Sequence, residues 1–444
     1  MLFKLLKYLQ PTHYFQRYRA DGQSVFPIAS ELPKEVLNQL QPDLGYESDL
    51  GTQYDLSWQA IQYGYLGDVS TYTTFEPVPL LDEYRFLRKH FHVAWVFYVL
   101  LLRLFGLHPP LKEIAAWKAS KGNKHITFDQ KPIRYPDYDA YDSSLIQVSP
   151  LVSVVIPTLN RYTYLHDVLK DFEAQTYTHF EILVVDQSEP FRPEFYQGFD
   201  LTIRVIRQEE KALWLARNQS VKAAHGTYIA LSEDDVRIPK DWIEQHLKCM
   251  DYFKADISAG VFYPEGGHMP KERSFFTLAS QFATGNALLH KDVFKLVGLF
   301  DRQFEKQRMG DGEFGMRCYL AGLKSVSNPL AFCLDVKAGV GGLRDMGSWD
   351  AFRPKHWLAP RPIPSVIYYF KRYFGNQATI YSLLRTVPFS VMPYQFKKSK
   401  SMMVLGGLIS LLLLPLILFQ VTRSWYLARL KLKEGPKIER LIDE

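Results

Sequence analysis

Two short runs constrain this chain more than any other feature. LVSVVIPT (151–158) and FEILVVD (180–186) are dense in apolar, β-branched residues, the pattern of strands buried on both faces. Between them Leu165, Val168, Leu169 and Phe172 recur at helical spacing. A strand, a helix and a second strand joined in this way form a parallel β-α-β unit. Similar alternation continues to about residue 340 and predicts an α/β domain with a mostly parallel sheet. In open α/β sheets ligands sit beyond the carboxyl ends of the strands. Thr158 and Asp186 fall there. Neither GxGxxG nor GxxxxGK[ST] occurs, which weighs against dinucleotide dehydrogenases and P-loop enzymes.

The chain has 444 residues, 47% of them hydrophobic, enough for two or three structural units. Its net charge of +6 is spread without a dense basic stripe, so nucleic acid is not an expected partner. A mild positive balance suits phosphate-bearing substrates or an anionic membrane surface. The three cysteines, Cys249, Cys318 and Cys333, have no paired spacing, which points to a reducing compartment. Lys4 and Lys7 interrupt the first apolar residues, so no signal peptide is expected there.

The remaining regions divide by composition. Residues 1–107 carry no readable motif, but 86–107 hold the apolar run FHVAWVFYVLLL, expected as an interfacial or a buried helix. Residues 108–150 read as a linker, and 341–400 as an extension rich in Pro, Arg and aromatics. MMVLGGLISLLLLPLILFQV (402–421) has no charge over twenty residues and is expected to be a membrane segment, kinked at Pro415. Basic residues flank both ends, Lys397, Lys398 and Lys400 before it and a basic tail (422–444) after it. Charge bias therefore sets no orientation, and a bent, re-entrant helix would keep both ends cytoplasmic.

Two acidic clusters carry the chemistry. GTYIALSEDDV (226–236) is a strand followed by Glu233, Asp234 and Asp235. By itself this could be a solvated turn, but carboxylates that hold a divalent ion neutralise a diphosphate leaving group. QRMGDGEFGMRCYLAG (307–322) presents Asp311, Glu313 and Arg317. A positioned carboxylate can take the proton of an acceptor hydroxyl, whereas Glu313 and Arg317 also have the spacing of a helical i,i+4 pair.

VSVVIPTLNR and QTYTHFEILVVDQSEP resemble the opening of glycosyltransferase family 2, which has the GT-A fold. The resemblance covers about 151–335. It implies that Pro157, Thr158, Asn160, Asp186 and Gln187 meet the donor nucleotide. Glu233, Asp234 and Asp235 then match the family's DxD motif, with Asp235 on Mg²⁺ or Mn²⁺. ALWLARNQSVKAAHG is similar to the family's RN helix and offers Arg217 to the donor phosphates. FATGNALLHKDVFKLVGLFD resembles the family's stretch before the active-site acid and implies Gly285 and Asn286 near the sugar, and QRMGDGEFGMRCYLAG then implies Asp311 as general base, Glu313 as its fallback, and Glu313 and Arg317 near the acceptor. The chain departs from the family at Gln187, where a second acid is usual, and at Gly310, where a Glu is usual. Gln187 leaves the base open among uridine, thymidine and guanosine, because an amide both donates and accepts. No His falls within 333–345, so a third metal ligand is not expected; Gly341, Gly342 and Arg344 would be a flap over the diphosphate or a plain connector. Trp349 and Trp357 are candidates for sugar stacking or interfacial anchoring.

The expected protein is an inverting glycosyltransferase at the cytoplasmic face of the cell membrane. It would move a sugar from a nucleotide-sugar donor to a lipid-linked or polysaccharide acceptor. The competing expectation is a catalytically silent GT-A domain that scaffolds polysaccharide assembly. A processive synthase fits less well, since it generally needs several spanning helices and a QxxRW-type motif.

Overall fold

The computed structural model describes residues 1–128, 131–336, 338, 350–396 and 398–442. Gly341, Gly342, Arg344, Trp349 and Lys397 lie outside the described residues. The chain divides into two compact units, each made of two stretches: Arg134–Tyr368 with Gln420–Glu444, and Met1–Ile133 with Tyr369–Phe419.

The first of these is the α/β unit. Its strands are β1 (Val152–Thr158), β2 (Phe180–Asp186), β3 (Ile203–Arg207), β4 (Tyr228–Ser232), β5 (Val236–Arg237), β6 (Ile257–Pro264), β7 (Thr277–Leu278), β8 (Asn286–His290) and β9 (Ser325–Asp335). They form one sheet in the order β3-β2-β1-β4-β8-β6-β9-β5, with β7 on β9. β3, β2, β1 and β4 are parallel, as the β-α-β pattern predicts. The second half corrects the expectation of a mostly parallel sheet. β8 runs antiparallel between β4 and β6, and β5 and β7 run antiparallel to β9. No crossover helix lies between β6 and β8, and only antiparallel strands pair without one.

Burial follows the sequence pattern. Every residue of β1 is buried. The helix Tyr162–Glu173 turns Leu165, Val168, Leu169 and Phe172 onto the sheet, each contributing about 1.5–3 kcal/mol by leaving water. Phe172 meets the fully buried Trp242 edge to face at 5.9 Å. The basic tail packs on this unit. Lys437 donates its backbone N–H to Asp301 (2.9 Å), and Leu299 N–H reaches the Glu439 carbonyl (2.8 Å).

A polar knot ties the antiparallel half together. Asn286 Oδ1 accepts from Trp242 Nε1 and His246 Nε2, both at 3.0 Å. Its Nδ2 donates to the carbonyls of Ala331 (3.0 Å) and Val261 (3.3 Å). Those carbonyls flank the register shift between β6 and β9 at Gly260 and Val261. Gly260 is required there, because a Cβ would lie 2.1 Å from the Ala331 carbonyl oxygen. His246 Nδ1 faces the Ser258 hydroxyl at 2.8 Å.

The second unit is helical. Helices Asp49–Gln62, Leu80–His90, Val93–Phe105 and Pro110–Ala119 surround an aromatic core in which Phe3 stacks on Phe86 at 3.9 Å. Buried Asp55 holds Lys89 and His90, each at 2.5 Å. Glu113 accepts from Tyr84 (2.7 Å) and from Arg103 Nε (3.0 Å). The segment expected as a linker thus supplies part of this unit. The run at 86–107 is not one helix, because the chain breaks after His90 and resumes at Val93. The second piece buries Val96, Val99 and Leu100 and exposes Val93, Phe97, Leu101 and Phe105.

The expected membrane segment at 402–421 is likewise not one helix. Lys400–Leu412 and Leu414–Glu434 meet at 90°. Pro415 has no N–H to give and its ring clashes with the carbonyl four residues back, so the break falls at Leu413. Among the described residues no single helix is long and apolar enough to cross a membrane.

The polar knot makes stability pH-dependent. Burial lowers the His246 pKa to about 3, against about 6.5 in an unfolded chain. The folded state therefore binds fewer protons in this window. Its stability is complete above about pH 6.5 and falls on acidification by up to ~1.4 kcal/mol per pH unit from this group. Urea unfolding between pH 4 and 7 should show a shallower slope for His246→Gln than for the native chain; equal slopes would exclude this role.

Candidate functional site

β4 ends at Ser232, and Glu233, Asp234 and Asp235 form the turn into β5. Asp234 is only 4% exposed. One of its oxygens accepts from Thr158 Oγ1 at 2.7 Å, and the other meets Arg161 Nη1 at 3.0 Å. The same Arg161 nitrogen lies 2.8 Å from Asp235 Oδ2. Pairing of Val236 with Asp335 brings the end of β9 alongside. Burial, then the neighbouring charges of Asp234 and Glu233, pushes the Asp235 carboxyl up to about 6, despite the opposing pull of Arg161. Burial also raises Asp234.

This turn forms one wall of a cavity of about 520 Å³, within the range of small-ligand sites. Pro157, Arg217, Gly285 and Asp311 share the lining with the three acids. Arg217 is fully buried, with Nη2 3.8 Å from Glu233 Oε1. Gly285 lies so close to Glu233 that a Cβ would come within 2.4 Å of its side chain.

Arg217 and Asp311 are held by adjoining pieces of structure. Arg217 lies on helix Leu213–Ala223, whose first N–H groups, those of Trp214 and Leu215, are capped by Glu305 at 3.3 and 2.8 Å. Asn218 exchanges two hydrogen bonds with the Phe300 backbone, at 2.9 and 3.0 Å. Trp214 Nε1 donates to the Phe304 carbonyl at 3.0 Å. The chain then turns through Met309, at φ 81°, into helix Gly310–Leu320. Asp311 stands in its first turn, where the helix dipole favours a carboxylate. The departure at Gly310 has a steric cause: a Cβ there would lie 2.3 Å from the Trp214 ring.

Other residues singled out from the sequence stand behind the cavity rather than on its lining. Asp186 is fully buried. Its carboxylate accepts from the Tyr162 and Tyr196 hydroxyls, both at 2.7 Å, and from Ser188 N–H at 2.8 Å. Asn160, at φ 55°, accepts from Glu189 N–H (2.9 Å) and donates its own backbone N–H to the Ser188 hydroxyl (2.8 Å). Gln187 Oε1 accepts from Ala212 N–H (2.7 Å) and Gln208 (3.0 Å). Thr158 and Asn286 are consumed by the contacts already described. Glu313 is buried against Arg317 at 3.0 Å, and Arg317 also donates to the carbonyls of Val297, Gly298 and Leu299. Of the two candidate bases, only Asp311 faces the cavity.

Sequence reasoning gave no chemistry to Arg161, Arg273, Arg308 or Asp335, yet all four line the cavity. Arg161 lies 73 residues from Asp234, and no local spacing announces the contact. Asp335 had one usable signal, an acid at the end of the apolar run AFCLD.

Residues 153–297 match the model of glycosyl transferase family 2. Glycosyltransferase GlyA of Streptococcus pneumoniae serotype 4 is 29% identical over 167 residues, 36% of this chain and 23% of that protein. Glycosyltransferase AglE of Haloferax volcanii is 26% identical over 164 residues, 35% of this chain and 53% of that protein. The chain thus spans about a quarter and about half of the length of these two relatives. Among solved structures, the mannosyltransferase PcManGT of Pyrobaculum calidifontis, in complex with GDP-Man and Mn²⁺, superposes with a TM-score of 0.43 at 15% identity, over 68% of this chain and 93% of that one. The matched segment runs from β1 through the acidic turn to the helix after β8, and over it the chain carries a glycosyl transferase family 2 domain.

Proposed function

We propose that the protein is an inverting glycosyltransferase that moves a sugar from a nucleoside-diphosphate donor to an acceptor hydroxyl. The observation that carries this reading is one cavity lined by both Asp235 and Asp311, an acid for the donor side and an acid for the acceptor side. Arg217, buried beside Glu233, offers a fixed positive charge to the diphosphate. Asp311 takes the acceptor proton as the hydroxyl oxygen bonds to the anomeric carbon. The bond from that carbon to the diphosphate oxygen breaks on the opposite face, and the nucleoside diphosphate leaves with the electron pair. One displacement inverts the anomeric centre.

The acidic turn suits a divalent cation. Burial first, and then the charges of Asp234 and Glu233, raise the Asp235 carboxyl, and a cation beside it would relieve that like-charge contact. Among the described residues no three His, Cys, Asp or Glu side chains converge, so Asp235, with Asp335 nearby, would share the ion with donor phosphates and water, as Mg²⁺ commonly requires. When bound, Mg²⁺ or Mn²⁺ would supply charge neutralisation for the leaving diphosphate. The silent-scaffold alternative is favoured by one observation: Arg161 already occupies Asp235.

The membrane part of the proposal rests on exposed apolar surface in the helical unit. Val93, Phe97, Leu101 and Phe105 form a stripe at four-residue spacing, and Leu408, Leu411, Leu412, Leu414 and Leu418 are exposed on the bent pair. Apolar surface of this extent marks a binding face, and a lipid bilayer at the cytoplasmic side, the home of a lipid-linked acceptor, suits it.

Asp311→Asn should keep donor binding and lose transfer by ~10²–10⁴-fold; native turnover would remove Asp311 as the base. Asp235→Asn should abolish the Mn²⁺ dependence of donor binding, and an unaltered response would move the ion elsewhere. Phe97→Glu with Leu101→Glu should reduce flotation of the full chain with anionic phospholipid vesicles. Equal flotation of native and variant protein would exclude this stripe from the lipid contact.

A further inference from the structure

Arg161 is placed more firmly than a surface arginine would be. Its backbone follows Asn160, which is clipped to Ser188 and Glu189 on the far side of the β1 end. Its side chain is 16% exposed, and one nitrogen, Nη1, is shared between Asp234 at 3.0 Å and Asp235 at 2.8 Å. The two acids differ in what else they hold. Asp234 is also anchored by Thr158. Asp235 faces the cavity, where Asp335 and Glu233 add to the negative charge.

We propose that Arg161 is the internal counter-ion of this turn and competes with the divalent cation for Asp235. The inference rests on the donor-site reading above and goes beyond it by assigning a residue that controls cation entry. A guanidinium does not deprotonate in a protein, so it leaves an acid only by moving. A cation on the Asp235 carboxylate would stand about 2.1 Å from its oxygen, while the guanidinium nitrogen already lies 2.8 Å from Oδ2. Two positive groups on one carboxylate repel each other, so an ion on Asp235 and Arg161 on its Oδ2 weaken one another. Arg161 can keep Asp234 as the ion enters, because that acid is buried and otherwise left without its cationic partner.

Two consequences follow. Cation alone binds weakly, because it must weaken an existing pair. Cation and nucleoside diphosphate bind together, because the diphosphate brings negative charge that both the ion and the guanidinium can share. The site thereby favours loading of the complete donor complex over capture of a bare ion.

The test is Mn²⁺ binding to the full-length protein, read by the electron paramagnetic resonance signal of free Mn²⁺, with and without UDP, dTDP, GDP or CDP. Arg161→Gln should bind Mn²⁺ alone ~10-fold more tightly than the native chain, and the strengthening of Mn²⁺ binding by nucleotide should shrink. Equal or weaker Mn²⁺ binding by Arg161→Gln overturns the assignment. Where the Gln variant does not fold, Arg161→Lys, which keeps a charge beside Asp234 but lacks the guanidinium's reach, is read in the same way. Nucleotide and Mn²⁺ binding with no effect of Arg161 sinks only this inference. Failure of every nucleotide to bind the folded native protein sinks the donor reading, and this inference with it.

Discussion

The site depends on Asp234, a carboxylate that is buried and doubly held. Thr158, the last residue of β1, donates to one oxygen, and Arg161, three residues on, meets the other. A buried charge without such partners would be strongly destabilising. With them, it binds the turn after β4 to the carboxyl end of β1 and fixes which way the neighbouring acids face. Asp235 and Glu233 then fall on the cavity wall, and Asp335 is brought in by the short pairing of β5 with β9. The middle acid of the cluster is thus the most firmly held, while Asp235 shares Arg161 with it and Glu233 lies beside Arg217.

A second constraint joins the helix of Arg217 to the helix of Asp311. Helix Leu213–Ala223 carries Arg217, and the segment leading to Asp311 caps that helix through Glu305 and receives the Trp214 N–H at Phe304. Gly310 leaves room for the Trp214 ring at the point where the helix of Asp311 begins. The departure from the family's usual Glu is therefore a packing requirement of this chain.

Much of this was legible in the sequence, and the reasons for success and failure are specific. β1, β2 and the helix between them were readable because a strand buried on both faces and a helix buried on one leave unmistakable periodicities. The mixed second half was not, because β8 is five residues long and its direction is set by tertiary pairing. Asp235, Arg217 and Asp311 were found through motif spacing, and the structure brings them to one cavity. Asp186, Asn160 and Gln187 were also singled out, but they bond to residues of other segments and are not on this cavity's lining. Arg161 escaped notice because its partners are more than seventy residues away. The apolar run at 402–421 was read for composition and length, while a single proline decides that it bends.

The central claim is that the acidic cavity binds a nucleoside-diphosphate donor with a divalent cation. Calorimetric titration of the purified, folded chain with UDP, dTDP, GDP and CDP, each with and without Mn²⁺, tests it most directly. The account predicts Mn²⁺-dependent binding of one of these nucleotides in preference to the rest. Binding of none of them, with or without Mn²⁺, would contradict it and leave the domain a scaffold.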